Sequence, residues 1–183
     1  MKLLFTPFPA LKTERLVLRK LFHSDEKATF EIRSNKEVNK FIDRPIPKNI
    51  SDIKYFIKKI DQLINTNKGV YWVIDYNNTV IGSIGLRHFN KDFTYAEVGY
   101  ELHPAFQGKG FMSEALKEVL NYGFNKIHLS EIEAYTHKEN KHSINLLKKY
   151  SFNLRSEKKD VDFKNNIILG LIKTDYNHLC SLY

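Results

Sequence analysis

Residues 94–126 constrain the fold of this chain more than any other stretch. A short apolar strand through Val98 and Leu102 stops at Pro104, a glycine-bearing loop follows (Gln107-Gly108-Lys109-Gly110), and a helix begins at once, with Ala115, Leu116, Val119 and Leu120 at helical spacing. A further strand is predicted at 130–135. A strand joined through a helix to a neighbouring strand is a crossover, so this pair is parallel. The stretch is also an anion cradle. The first N–H groups of a helix have no intrahelical partner and point outward. Glycines at 108 and 110 keep side chains away from the backbone, and Lys109 adds positive charge.

The remaining elements are mostly antiparallel. Residues 14–21 read as a first strand. Ser24-Asp25-Glu26 starts a helix carrying Ala28, Phe30 and Ile32. Ser51-Asp52 opens a longer one with Ile53, Phe56, Ile57, Ile60 and Ile64 on one face, and Gly69 marks its end. Strands at 70–75 and 79–88 flank the turn pair Asn77-Asn78 and form a hairpin. A strand at 94–103, a helix at 111–126, the strand at 130–135, a helix at 141–150 and strands near 152–158 and 165–174 complete the order βαα-βββ-α-β-α-ββ.

The 183 residues suit one domain, 1–183, and no internal repeat or linker divides them. A net charge of +8 favours anionic partners: a phosphorylated cofactor, RNA or a membrane surface. The apolar start Met1-Lys2-Leu3-Leu4-Phe5 is broken by Pro7 and Pro9 before it reaches signal-peptide length, and no stretch approaches a membrane span. The single cysteine, Cys180, allows no intrachain disulfide and fits a reducing compartment. The expectation is a cytoplasmic protein without membrane or DNA partners. Seven histidines form no ligand set; His137 and His142 lack a third partner.

Three phosphate loops can be set against residues 107–113. A P-loop fails because Lys109 precedes Gly110 rather than Ser or Thr, and a dinucleotide fingerprint fails because Ser113 stands at its third glycine. The stretch resembles the acetyl-CoA loop of the GNAT N-acetyltransferase superfamily, Gln/Arg-x-x-Gly-x-Gly/Ala, with Gln107, Gly110 and Met112 at its defining places; Met112 departs from the usual small residue. Thr13-Glu14-Arg15-Leu16-x-Leu18-Arg19, Glu97-Val98-Gly99-Tyr100-Glu101-Leu102-His103-Pro104, Glu114-Ala115-Leu116 and Asn140-x-x-Ser143 with Leu147, Lys148 and Phe152 are similar to the ribosomal-protein alanine and serine N-acetyltransferases. The likeness covers about residues 11–175.

The resemblance implies an α+β (α/β) fold: a GNAT-like mixed, mostly antiparallel sheet of six to seven strands, flanked by about four helices, with a parallel pair splayed at the cofactor site. It implies that acetyl-CoA/CoA is held by Gln107, Gly108, Lys109, Gly110, Phe111, Met112 and Ser113, by Leu102 and His103 at the strand end, and by Asn140 and Ser143. Glu97, Gly99 and Glu101 alternate along a strand, so without a bulge both glutamates share a face. By resemblance one of them, or a water that it orders, is the base that frees the acceptor amine; the plain alternative for each is a solvated strand end or an ion pair with a nearby Lys or Arg. Many superfamily members carry a Tyr acid where this chain has Leu147. The subfamily implies Ser143 in its stead, near the sulfur of the donor, while a first-turn helix serine is the plain reading. Asn140 would cap that helix and bond the pantetheine. The acceptor is an amine, with protein N-termini first and small amines such as amino acids, polyamines and aminoglycosides open. A non-catalytic acyl-CoA sensor and a ribosome-associated protein are the competing classes; a monomer and a homodimer are equally compatible.

Overall fold

The computed structural model describes residues 4–181, so the first three residues of the apolar start lie outside the described residues. In chain order the elements are β1 (Leu11–Lys12), β2 (Val17–Arg19), α1 (Glu26–Ser34), α2 (Lys36–Asn39), α3 (Ile50–Asn65), β3 (Gly69–Tyr76), β4 (Thr79–Arg87), β5 (Tyr95–Leu102), α4 (Phe111–Asn121), β6 (Glu131–His137), α5 (Lys141–Lys149), β7 (Asn153–Leu154), β8 (Asn166–Ile172) and α6 (Lys173–Ser181). The sheet order is β1-β2-β3-β4-β5-β6-β8-β7. Among the described residues only β5 and β6 pair in parallel, as the crossover requires. The mixed sheet expected from the sequence is present. It reaches eight strands because two-residue strands, β1 and β7, add to its outer parts, and the described residues contain six α-helices.

Local chemistry sets most boundaries. Asn77 and Asn78 have φ of 51° and 63°, the paired left-handed residues of a tight hairpin turn between β3 and β4. The third helix starts earlier than Ser51: Asn49 is its N-cap and shares a capping box with Asp52. Its Ile53, Ile57, Ile60 and Ile64 are buried, as their spacing predicts. Gly69 opens β3 rather than closing the helix. The helix expected over 111–126 is α-helical to Asn121 and continues as a π-helix through Tyr122–Ile127.

Departures from the sequence reading arise where tertiary contacts override periodicity. The first strand shrinks from 14–21 to Val17–Arg19, because Thr13 and Arg15 are drawn into contacts with α4. The seventh strand stops at Leu154, where Arg155 turns back toward β6. The last strand ends at Ile172 and gives way to α6, which no pattern announced: Tyr176 is its buried residue and stacks on Phe124 at 4.7 Å. Arg19 ties the first half together, with a two-pronged contact to buried Asp25 and a 2.8 Å bond from Nε to Asp75. Among the described residues no helix is long and apolar enough to cross a membrane.

Candidate active site

The parallel pair is short. Tyr95, Ala96 and Glu97 stand opposite Glu131, Ile132 and Glu133, and pairing ends there. On its other side β5 stays in unbroken antiparallel register with β4 from Glu97 to Leu102. His103 donates its N–H to Ile81 at 2.8 Å, which fixes the odd-numbered residues of β5 toward β4. The main-chain groups of Val98 and Tyr100 therefore face the gap between β5 and β6, where an extended ligand can add as a strand.

The glycine loop lies past the end of β5. Gly108 and Gly110 have φ of 72° and 80°, so the loop needs glycine for its backbone conformation. A Cβ at Gly108 would meet nothing within 4 Å. Gly110 caps α4, and the first main-chain bond within the helix runs from Glu114 to Gly110. The amides of Gly108 to Ser113 precede that bond, and they face the positive end of the helix dipole. Gln107 Nε2 donates to the Leu102 carbonyl at 3.0 Å, tying the loop to the strand. Lys109 folds back, its ammonium 2.8 Å from the Ala105 carbonyl. Lys149, at the end of α5, donates to Ser113 Oγ at 2.9 Å and brings a second cation to the helix start. Met112 points into the core and leaves the loop uncrowded. His103 uses its N–H on β4 and its Nδ1 on the Ala105 amide.

A clamp from the N-terminal segment fixes this cradle. Glu114, in the first turn of α4, accepts from the Thr13 hydroxyl, the Arg15 amide (2.8 Å) and the Arg15 guanidinium (2.7 Å). Arg15 also reaches the Lys109 carbonyl at 3.1 Å and lies over the Phe111 ring. Burial pushes the Glu114 carboxyl up, but the Thr13 hydroxyl and the Arg15 amide and guanidinium more than offset it, so it titrates below the usual carboxylate value. The sequence contains this clamp as Thr13-x-Arg15 and Glu114, but only the fold joins them.

One open cleft of about 1200 Å³ takes in the donor loop from Gln107 to Ser113, Asn140 and Ser143, and the face of β5 that carries Glu97 and Glu101; at that face it is bounded by the segment after α2 and by the loop between β7 and β8. The absence of a bulge puts both glutamates on that face, as expected. Their surroundings differ. Glu97 Oε2 pairs with His88 Nδ1 at 2.8 Å, and its Oε1 has no hydrogen-bond partner among the described residues. Glu101 is 7 % exposed: Oε1 accepts from Ser83 (3.1 Å) and Arg33 (3.3 Å), while buried Oε2 forms an ion pair with Arg44 and has no hydrogen-bond partner among the described residues. The ion pair that is the plain alternative for each carboxylate is present at both: Arg33 and Arg44 pair with Glu101, and Arg87 Nε lies 3.9 Å from Glu97 Oε2.

The opposite face of β5 carries Tyr100. Its hydroxyl lies 2.8 Å from Ser143 Oγ, across the mouth of the gap. Asn140 caps α5 by accepting from the Ser143 amide at 3.3 Å, as predicted. Burial pushes the Tyr100 phenol up to about 12. Tyr100, His88 and Lys149 do not show in the sequence as site residues, since only tertiary packing brings them to Ser143, Glu97 and Ser113. Behind Glu97, buried Glu133 accepts from Tyr95 (2.8 Å) and Lys158 (2.6 Å), which pins the loop after β7 to the sheet.

These residues fit acetyl-CoA. Left-handed glycines, open amides at a helix start and an unpaired strand edge accommodate a pyrophosphate and an amide-bearing arm. The acetyltransferase (GNAT) domain family matches residues 15–153. An uncharacterized N-acetyltransferase, YoaA, of Bacillus subtilis is 34% identical over 147 residues, covering 79% of this chain and 83% of its own. An uncharacterized N-acetyltransferase, p20, of Bacillus licheniformis is 32% identical over 173 residues, covering 91% and 97%. A solved structure of the ribosomal L7/L12 alpha-N-protein acetyltransferase RimL, with coenzyme A, superposes with a TM-score of 0.80 at 17% identity, covering 92% of this chain and 99% of that one. The chain belongs to the GNAT acetyltransferase family and is an N-acetyltransferase that uses acetyl-CoA.

Proposed function

We propose that the acceptor is the α-amino group of a protein or peptide N-terminus, acetylated by direct attack within a ternary complex. The observation that carries this reading is Glu97, a carboxylate with one free oxygen at the point where β5 and β6 part, on the lining of an open cleft. The fold likeness to RimL, an α-N-protein acetyltransferase, supports it. Acetyl-CoA supplies an acetyl thioester. The amides of Gly108 to Ser113 hold its diphosphate, Arg15 and Lys149 add charge, and the edge of β5 near Leu102 with Asn140 aligns its arm.

An amine attacks only as the free base, so a proton must leave it. Glu97 Oε1 receives that proton directly or through a water, and exposed His88 on Oε2 offers it a way to solvent. Glu101 is buried and held charged between Arg33 and Arg44, which makes it a poor proton acceptor, and it acts as an anchor. Ser143, held by Asn140 and Tyr100 at the mouth of the gap, would offer its hydroxyl as a hydrogen-bond donor to the leaving thiolate; serine is too weak an acid to do more. The described chain acts as one unit in the cytoplasm, where free cysteine and the donor coexist. The test is release of free thiol from acetyl-CoA with N-terminal peptides compared against spermidine, amino acids and aminoglycosides. Turnover confined to small amines overturns the peptide reading; donor binding without transfer to any amine turns the protein into a sensor.

A further inference from the structure

The cluster around Glu101 is out of electrical balance. Arg33 and Arg44 both pair with this one carboxylate, and among the described residues neither has another acidic partner within ion-pair distance. Both guanidiniums are largely buried, at 15% and 14% side-chain exposure. Arg44 spends Nε on Asn39 Oδ1 at 2.8 Å and sets Nη1 against Glu101 Oε2; its buried Nη2 and that oxygen both have no hydrogen-bond partner among the described residues, so the free donors rest mainly with Arg33. Arg33 lies 3.8 Å over the Phe56 ring and uses Nη1 alone on Glu101; its Nε and Nη2 have no partner among the described residues. A surplus positive charge in a poorly solvated place is unfavourable until a second anion completes it. Both arginines line the acceptor cleft. Two other acids that line the cleft, Glu37 and Asp43, are exposed, where water screens them. Asp160, across the cleft, is already spent on the Asp162 and Phe163 amides and on Asn166.

Resting on the reading of Glu97 as the base, we infer that Arg33, with Arg44 behind it, is a subsite for a carboxylate of the acceptor, carried on the third or fourth residue counted from the one whose amine is acetylated. The spacing follows from the strand. Glu97 and Glu101 are four residues apart on the regular strand β5, which is about 13 Å and the reach of three to four extended residues. A free α-amino acid, with amine and carboxylate on one carbon, cannot span it. A guanidinium with two free N–H groups suits a carboxylate in particular.

The experiment uses the full chain, acetyl-CoA and C-terminally amidated hexapeptides that differ only in Glu or Gln at position 2, 3, 4 or 5. Matched peptides with a free C-terminus test whether a terminal carboxylate serves as well as a side chain. Glu at position 3 or 4 raises kcat/KM about tenfold over Gln, mainly through KM, with a smaller gain at 2 and 5. Arg33→Gln removes most of that ratio and Arg33→Lys keeps part of it. Equal turnover of Glu and Gln peptides at every position in the wild type overturns the subsite while leaving the acetyltransfer reading intact. Calorimetric binding of the peptides to the CoA-bound protein separates the other case. Glu-dependent binding without turnover sustains the subsite and sinks the acceptor reading, whereas binding indifferent to Glu overturns the subsite.

Discussion

The donor side and the acceptor side of this molecule are built by different means. The donor cradle is made of main chain: two left-handed glycines, the open amides of α4 and the edge of β5. Its side chains, Thr13, Arg15 and Glu114, hold the backbone in place from behind. The acceptor end of the cleft is lined by side chains from distant segments: Arg33 from α1, Arg44 from the loop after α2, Glu101 from β5 and Asp160 from the loop between β7 and β8. A main-chain site recognises what every acetyl-CoA has in common. A side-chain site can be rewritten residue by residue, which is where acceptor choice belongs.

Four substitutions test this division. The largest effect is expected from Glu97→Gln, which lowers kcat by about 10²–10⁴ as befits a general base while donor binding, read by calorimetry with CoA, stays near wild type. A loss of CoA affinity instead would merge the two sides. Glu114→Gln strikes the donor side from behind: losing its charge-assisted bonds costs about 1.5–3 kcal/mol and weakens CoA binding, with acceptor KM little changed. Its pH dependence has a definite sign. The folded carboxyl titrates below its ordinary value of 4.5, so its stabilisation is full above that pH and disappears as pH falls through the lower folded value. The difference in unfolding free energy between wild type and Glu114→Gln, measured by urea titration, should close in strong acid.

Gly110→Ala comes next. A side chain in the left-handed region costs about 1–2 kcal/mol, so CoA affinity falls about tenfold at unchanged acceptor preference. Tyr100→Phe is the smallest: one hydrogen bond to Ser143, about 0.5–1.5 kcal/mol, read as a severalfold drop in kcat with donor KM nearly constant. Because burial raises the Tyr100 phenol to about 12, its contribution to stability is full below pH 10 and is lost between pH 10 and 12. The phenylalanine variant should lack that share of the alkaline loss.

The same division decides what the sequence made legible. Donor-side features are local: Gly108, Gly110, the helix start and Asn140 as a cap could be read in place, because turn chemistry and helix ends act within a few residues. The alternation of Glu97 and Glu101 was readable too, since strand parity needs no knowledge of neighbours. Their unlike environments were not. The arginines that claim Glu101 lie 68 and 57 positions away in the chain, and the free oxygen of Glu97 depends on what fails to reach it. Helix α6 escaped for a related reason, since its buried Tyr176 docks on Phe124 from an otherwise polar segment.

The unbroken register of β5 against β4 has a consequence for how this protein can change. One strand hands its odd side chains to the acceptor, its even hydroxyl to Ser143 and its outer edge to the donor. Deleting or inserting a single residue between Glu97 and Leu102 would exchange the first two assignments and shift the third in one step. Loops at either end of the cleft can lengthen and diversify, but this six-residue span behaves as an indivisible word, and variation in it should come as substitution and never as a change of length.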